Sequence, residues 1–308
     1  MGNAAAKTAE IEPRGLGYWA DAIVGRVRAD DEVLARMVGH PRFREACETM
    51  MRDTLAISQA HPKMARVMID IHRALLGLFV LYLDARGIVT HATVRDFCVE
   101  VGLTNPGRAT AILINLRMVG YIVPDPVQPD RRSRRYILSR ETREFFNEVF
   151  RRQMISLSLI EPQALMIADR FDDARIYKSF VLIVCNGLAN ASRRGDTSEI
   201  SLFDRRNAGL GILFRLCVSG KPDDTLPPSR PIPLSINALA SEFRVSRPHV
   251  RKLLRDAEAA GLVRRNAGDS TLVLETVLRD TVIRYHASIF MGLAHAARAA
   301  LRAIGEMD

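Results

Sequence analysis

Apolar positions between residues 67 and 120 recur at helical spacing and predict three successive helices. Gly87 predicts the end of the first helix, and Thr93 is a suitable N-cap for a short second one. Pro106 favours the start of a third helix, because proline is tolerated in a first turn, and Gly120 predicts its end. The first helix carries one apolar stripe at steps of three or four residues, formed by Val67, Ile71, Leu75, Leu78 and Tyr82.

Two short apolar segments after the third helix predict a β-hairpin. They run from Tyr121 to Val123 and from Tyr136 to Leu138. The polar loop between them contains a cluster of arginines, namely Arg131, Arg132, Arg134 and Arg135. Helix, helix, turn, helix and a two-stranded ribbon with a basic tip is the order of a winged helix-turn-helix unit.

The same pattern returns in the C-terminal half of the chain. Leu239 follows Phe97 by 142 positions in the second helix, and Leu254 follows Leu113 by 141 positions in the third. A one-residue slip at the start of the third helix accounts for the difference. Because the agreement extends to the caps, the turn and the glycine that ends each third helix, we interpret it as an internal duplication.

The duplication predicts a mainly α-helical protein with small β wings and two winged units in one chain. We expect an N-terminal arm over residues 1–35, a first unit with flanking helices over 36–160, a linking helical segment over 161–204 and a second unit with a C-terminal helix over 205–308. Long apolar stripes flank each unit, which favours helices that pack the halves together with pseudo-two-fold symmetry.

Charge and cysteine usage narrow the classes of function. The chain has 44 Lys and Arg against 35 Asp and Glu, and a formal net charge of +9, which favours a polyanionic partner. The four cysteines are widely separated, so neither a zinc site nor a disulfide framework is predicted, and we expect reduced thiols and a cytoplasmic protein. No stretch is apolar over the roughly 18 residues that a membrane span needs.

The segment from Phe243 to Val263 reads FRVSRPHVRKLLRDAEAAGLV. It resembles the helix-turn-helix of bacterial winged-helix regulators of the GntR and MarR types in its Val-Ser-Arg start, its Val-Arg step and its Gly-Leu-Val exit. Ser246 is predicted to cap the reading helix, and the resemblance implies that Ser246, Arg247, His249 and Arg251 lie at the DNA surface. Arg255 shares the outer face, and Arg264 and Arg265 start a short second wing.

The first unit is more similar to the MarR type, because a long basic wing follows it. Its arginine cluster is predicted to contact phosphates or to reach a minor groove. The outer face of its third helix offers Thr104, Asn105 and Arg108. Asn105 fits two roles equally, since asparagine reads adenine in the major groove and also caps helices.

These features predict a sequence-specific regulator of transcription that binds double-stranded DNA and acts as a monomeric pseudo-dimer or as a homodimer. The resemblance implies a MarR-like repressor. A replication initiator of the plasmid type with tandem winged helices is the first alternative, and a winged-helix scaffold that binds proteins without DNA is the second.

No catalytic constellation is found in the sequence. It has no HExxH, GxSxG or P-loop pattern, so we predict neither an enzyme, a cofactor nor a metal site. Regulators of the MarR and GntR types commonly respond to a small-molecule effector, and the resemblance implies a pocket beside the long helices. Candidate polar residues for such a pocket are His72, Tyr82 and Tyr177.

Overall fold

The computed structural model describes residues 30–127, 134–194, 200–266, 270–303 and 305. Over these residues the protein is mainly helical and has two small antiparallel sheets, which confirms the predicted mainly-α class with small β elements. In chain order the elements are α1 (Asp30–Val38), α2 (Phe43–Ala60), α3 (Pro62–Val67), α4 (Ile71–Ala85), α5 (His91–Glu100), α6 (Pro106–Met118), β1 (Ile122–Pro124), β2 (Tyr136–Leu138), α7 (Arg140–Ser158), α8 (Ala164–Ala168), α9 (Ala174–Arg194), α10 (Ser201–Asp204), α11 (Gly209–Cys217), β3 (Ile232–Pro233), α12 (Ile236–Glu242), α13 (Arg247–Ala259), β4 (Val263–Asn266), β5 (Thr271–Leu274) and α14 (Thr276–Ala303).

The first of the three predicted helices, α4, begins at Ile71, later than the apolar stripe from Val67 predicts. The Asp70 carboxylate accepts a hydrogen bond from the backbone N–H of Arg73 at 3.0 Å and caps α4, so Val67 belongs to the separate helix α3. The predicted cap of α5 is also wrong by one turn. Thr90 is the N-cap, and Thr93 completes a reciprocal capping box with it, which fixes the entry of the chain into α5.

The turn between the second and third helices has the same geometry in both halves. Gly102 (φ +69°) and Arg244 (φ +54°) follow α5 and α12 in the left-handed conformation. In each half the next residue donates its N–H to a carbonyl one turn back, from Leu103 to Cys98 at 2.9 Å and from Val245 to Ala240 at 3.1 Å. The second half therefore repeats a turn that glycine makes easily, with arginine at the strained position.

The hairpins also repeat one another in register. Ile122 pairs with Leu138 in β1–β2, and Val263 pairs with Leu274 in β4–β5. The second sheet gains a third strand, because β3 pairs with β5. Among its described residues, the first half has a single bridge at the corresponding edge, from Thr90 to Arg135. Both halves thus share one order of helix, helix, turn, helix and hairpin.

Two helices connect the halves by contributing to both hydrophobic cores. Met51 and Leu55 of α2 pack in the core of the second half, while other buried residues of α2 pack in the first. The helix α14 does the same, since Leu278 and Val282 belong to the second core and Phe290 to the first. Residues 36–160 and residues 205–308 therefore share parts of their hydrophobic cores, in addition to being joined by the linking segment.

Within the described ranges, no helix combines the length and the apolarity that crossing a lipid bilayer requires.

Candidate nucleic-acid interface

Three arginines follow one another along the exposed face of α13. Arg247, Arg251 and Arg255 are exposed and are spaced four residues apart, so their Cα atoms follow one another at about 6 Å along the helix axis. None of the three makes an ion pair with a described residue. We call these residues the arginine stripe, and its charges are available to an anionic partner.

The opposite face of α13 holds the helix against the second core. Four apolar side chains are almost fully buried there, namely Val250, Leu253, Leu254 and Ala257. As predicted, Ser246 caps the helix, and its Oγ accepts the backbone N–H of His249 at 3.3 Å. Arg206, in the segment after α10, pairs with Asp256 at 2.8 Å and fixes the outer edge of the helix. The stripe is therefore presented by a helix anchored from two sides.

His249 contributes to this anchoring. Its Nε2 lies 2.9 Å from the backbone carbonyl oxygen of Asn207, and because a carbonyl only accepts, Nε2 carries the proton and donates. The ring is half-buried by this contact. His249 was predicted at the DNA surface, and the structure places it at the edge of α13, already hydrogen-bonded to the backbone of Asn207.

The acidic residues of α13 are neutralised locally. Asp256 also accepts a hydrogen bond from Lys252, at 3.2 Å. Glu258 pairs with Arg265 of β4, which holds the pKa of that carboxyl below its usual range. Arg264 pairs with Glu275 at 3.1 Å. The two wing residues predicted to contact DNA, Arg264 and Arg265, are thus engaged with carboxylates, while the stripe is not.

One further cation lies beside the stripe and was missed by the sequence reasoning. Arg244 is exposed in the turn before α13, and it makes no ion pair with a described residue. The sequence did hold a signal for its place in the turn. Arg244 follows Gly102 by 142 positions, the same step that relates α5 to α12.

The third helix of the first half, α6, does not repeat the stripe. At the step of 141 positions, Pro106, Thr110 and Ile114 stand where the second half has arginines. Arg108 is exposed, as predicted. Of the two roles open to Asn105, the structure supplies the cap: its side-chain oxygen accepts the backbone N–H of Arg108 at 2.9 Å. Thr104 is half-buried. It is the one residue by which the turn between α5 and α6 is longer than the turn between α12 and α13.

The structure describes two of the four arginines predicted for the basic loop of the first half, Arg134 and Arg135. Arg131 and Arg132 lie outside the described residues. Arg134 is exposed, whereas the guanidinium of Arg135 donates a hydrogen bond to the carbonyl oxygen of Gly87 and is half-buried. Arg135 therefore ties β2 to the end of α4.

The three candidate effector residues do not form one site. Tyr177 lines a cleft of about 330 Å³ between α4, α7 and α9, with Asp84 and Lys178 at its wall, and burial raises the pKa of the Tyr177 hydroxyl. His72 lies 3.9 Å from the Asp70 carboxylate, and burial lowers its pKa. The Tyr82 hydroxyl accepts a hydrogen bond from Arg86 at 3.2 Å. Neither His72 nor Tyr82 lines the cleft.

Across the described residues, no three His, Cys, Asp or Glu side chains gather in a group that could hold a metal ion. In comparisons with known proteins, no protein family, no curated protein and no solved structure matches this chain.

Proposed function

We propose that the chain is a regulator of transcription that binds double-stranded DNA through two winged helix-turn-helix units of unequal roles. The observation that carries the proposal is the arginine stripe on the exposed face of α13, the helix that follows the tight turn at Arg244. A helix about 10–12 Å across fits the major groove, which is about 12 Å wide. Arginine there reads the O6 and N7 acceptors of guanine or clamps a phosphate.

The repeated element order supports assigning a winged unit to each half. Each hairpin would lie beside its third helix as a wing, and the interlocked cores would let one chain present two units as a pseudo-dimer. The formal net charge of +9 supports a polyanionic partner, and the arginines of the stripe, unpaired among the described residues, support α13 as the surface that would meet it.

The first test is the salt dependence of binding. A random duplex of 30 base pairs, labelled with a fluorophore, is titrated with the protein between 50 and 200 mM salt, and affinity is measured by anisotropy. Each phosphate neutralised contributes about 0.9 to the slope of log affinity against log salt. The variant R247Q/R251Q/R255Q should lower that slope by up to about 2.7, which removes roughly 40-fold of the affinity lost over this fourfold range of salt.

A charge-matched control separates the stripe from net charge. Arg42, Arg52 and Arg140 are exposed arginines that pair with glutamates at 2.8, 2.6 and 2.7 Å on other helices. The variant R42Q/R52Q/R140Q removes the same three charges and should leave the slope close to that of the wild type. Equal slopes for the two triple variants would reject the stripe as the interface, and no binding of the wild type at 50 mM salt would reject DNA binding and favour a protein-binding scaffold.

A further inference from the structure

The outer face of α6 is apolar where that of α13 is cationic. Ile114 is 46% exposed and Met118, one turn further, is 82% exposed. About one turn before Ile114, Ala111 is exposed and Thr110 is half-buried, at the positions that carry Lys252 and Arg251 in the second half. The equivalence rests on shared geometry, because Asn105 and Ser246 cap the two helices 141 positions apart. A row of methyl groups thus occupies the place of the arginine stripe.

The charges around this row favour an anionic partner over a second copy of the chain. The sequence of α6, PGRATAILINLRM, contains no acidic residue. Arg108 and Arg117 are exposed and make no ion pair with a described residue. Two copies that met through this face would bring these cations together without a carboxylate of α6 between them, whereas a polyanion would meet them with opposite charge.

We propose that α6 lies in the major groove and recognises thymine through the C5-methyl group. This inference rests on the proposed DNA binding. It assigns thymine to α6 in the first half and guanine to α13 in the second. The methyl group of thymine projects into the major groove and is read by apolar contact, in contrast to guanine, which arginine reads through acceptors. Thr110, Ala111 and Ile114 supply apolar surface for such a contact, while Arg108 and Arg117 face the phosphates on either side. The bound sequence is then bipartite, with thymine at the α6 half and guanine at the α13 half.

The test changes only the methyl group. A random duplex library is enriched on the wild-type protein, and the best-bound duplex is then prepared with deoxyuridine at each thymine in turn, which removes the methyl and leaves base pairing intact. Burying one methyl group corresponds to about 0.8 kcal/mol, so each contacted thymine should lose about fourfold in affinity when it becomes deoxyuridine. We expect the sensitive positions to cluster on one side of the guanines that the stripe contacts.

The variant Ile114→Ser tests whether α6 is responsible. It should bind the thymine duplex more weakly than the wild type and lose the difference between thymine and deoxyuridine. Leu165→Ser is the matched control, because Leu165 is also 46% exposed but lies on α8. It should keep the wild-type sensitivity. The thermal unfolding of both variants is compared, so that a folding defect is not read as a loss of recognition.

Three results would overturn the inference. Equal affinity for thymine and deoxyuridine duplexes would leave DNA binding intact and remove the role of the methyl groups. Sensitivity to deoxyuridine that persists in Ile114→Ser would assign the recognition to another element. A lower tendency to self-associate in Ile114→Ser, measured by sedimentation without any change toward deoxyuridine, would identify the face as a contact between copies. If the wild type binds no duplex at low salt, the proposed function itself fails.

Discussion

His286 should make the stability of this protein fall as the solution is acidified. The side chain is 0% exposed in α14, and the rings of Phe214 and Tyr285 lie 5.3 and 5.4 Å from it. Its Nδ1 donates to the carbonyl oxygen of Val282 at 2.8 Å, while Nε2 has no partner among the described residues. This environment disfavours the charged form, and burial lowers the pKa of His286 to about 4.

The sign and size follow from the difference between the folded and unfolded states. The unfolded chain binds a proton near pH 6.5 and the folded one only near pH 4, so the stabilisation is present above pH 6.5 and is lost as the pH falls. A shift of this size corresponds to roughly 3 kcal/mol, of which about 2.5 kcal/mol is lost by pH 4.5.

Asp204 acts in the opposite direction over the same range. Burial raises the pKa of its carboxyl to about 6 from 3.8, against the opposing effect of Arg205. Its contribution is therefore present below pH 3.8 and is lost as the pH rises through 6. The wild type should consequently lose less stability on acidification than a variant without this carboxyl.

Urea unfolding followed by far-UV circular dichroism, from pH 7.5 to 4.5, checks the reasoning. His286→Phe keeps a ring in place and should lose the part of the acid sensitivity that His286 causes, although its stability at pH 7.5 changes through the lost hydrogen bond to Val282. Asp204→Asn should show the full effect of His286 and a steeper loss than the wild type. A difference in unfolding free energy between the wild type and His286→Phe that stays constant over the whole pH range would refute the argument.

Three further changes test what stabilises α6 and α13. Asn105→Ala should cost about 1 kcal/mol in urea unfolding because it removes the cap of α6, whereas Thr104→Ala should cost almost nothing; equal losses would contradict the observed cap. Leu254→Ala should cost about 2–5 kcal/mol, since the side chain is 0% exposed in the second core, and a loss under 1 kcal/mol would mean that this core is poorly packed. Gly261→Ala should cost about 1 kcal/mol, measured by thermal and urea unfolding, because φ is +69° while no atom lies within 4 Å of an added methyl group; an unchanged stability would argue against the left-handed conformation.

The parts of the fold that could be predicted are those with local signals. Proline in the first turn and glycine after the last turn marked α6, and a polar loop between two apolar segments marked the hairpin of β1 and β2. The caps Asp70 and Thr90 were missed because several nearby polar residues could serve, and only the path of the chain decides between them.

At the candidate interface, the sequence could not show which basic residues are already paired, because their partners are distant along the chain. Arg264 and Arg265 carry the same charge as the stripe, yet they pair with Glu275 and Glu258, and neither pairing has a local signature. The bond from His249 to Asn207 spans 42 positions. Charge could be counted from the sequence, but which cations remain unpaired depends on tertiary structure.

The sharing of α2 and α14 between the two cores has a consequence for dissecting this protein. A fragment of residues 205–308 would lack Met51 and Leu55 and would expose the apolar surface that they cover. A fragment ending at residue 160 would lack Phe290 and the face of α14 around it. Neither fragment would keep its hydrophobic core complete, so we expect residues 36–160 and 205–308 to fold only when both are present in one chain.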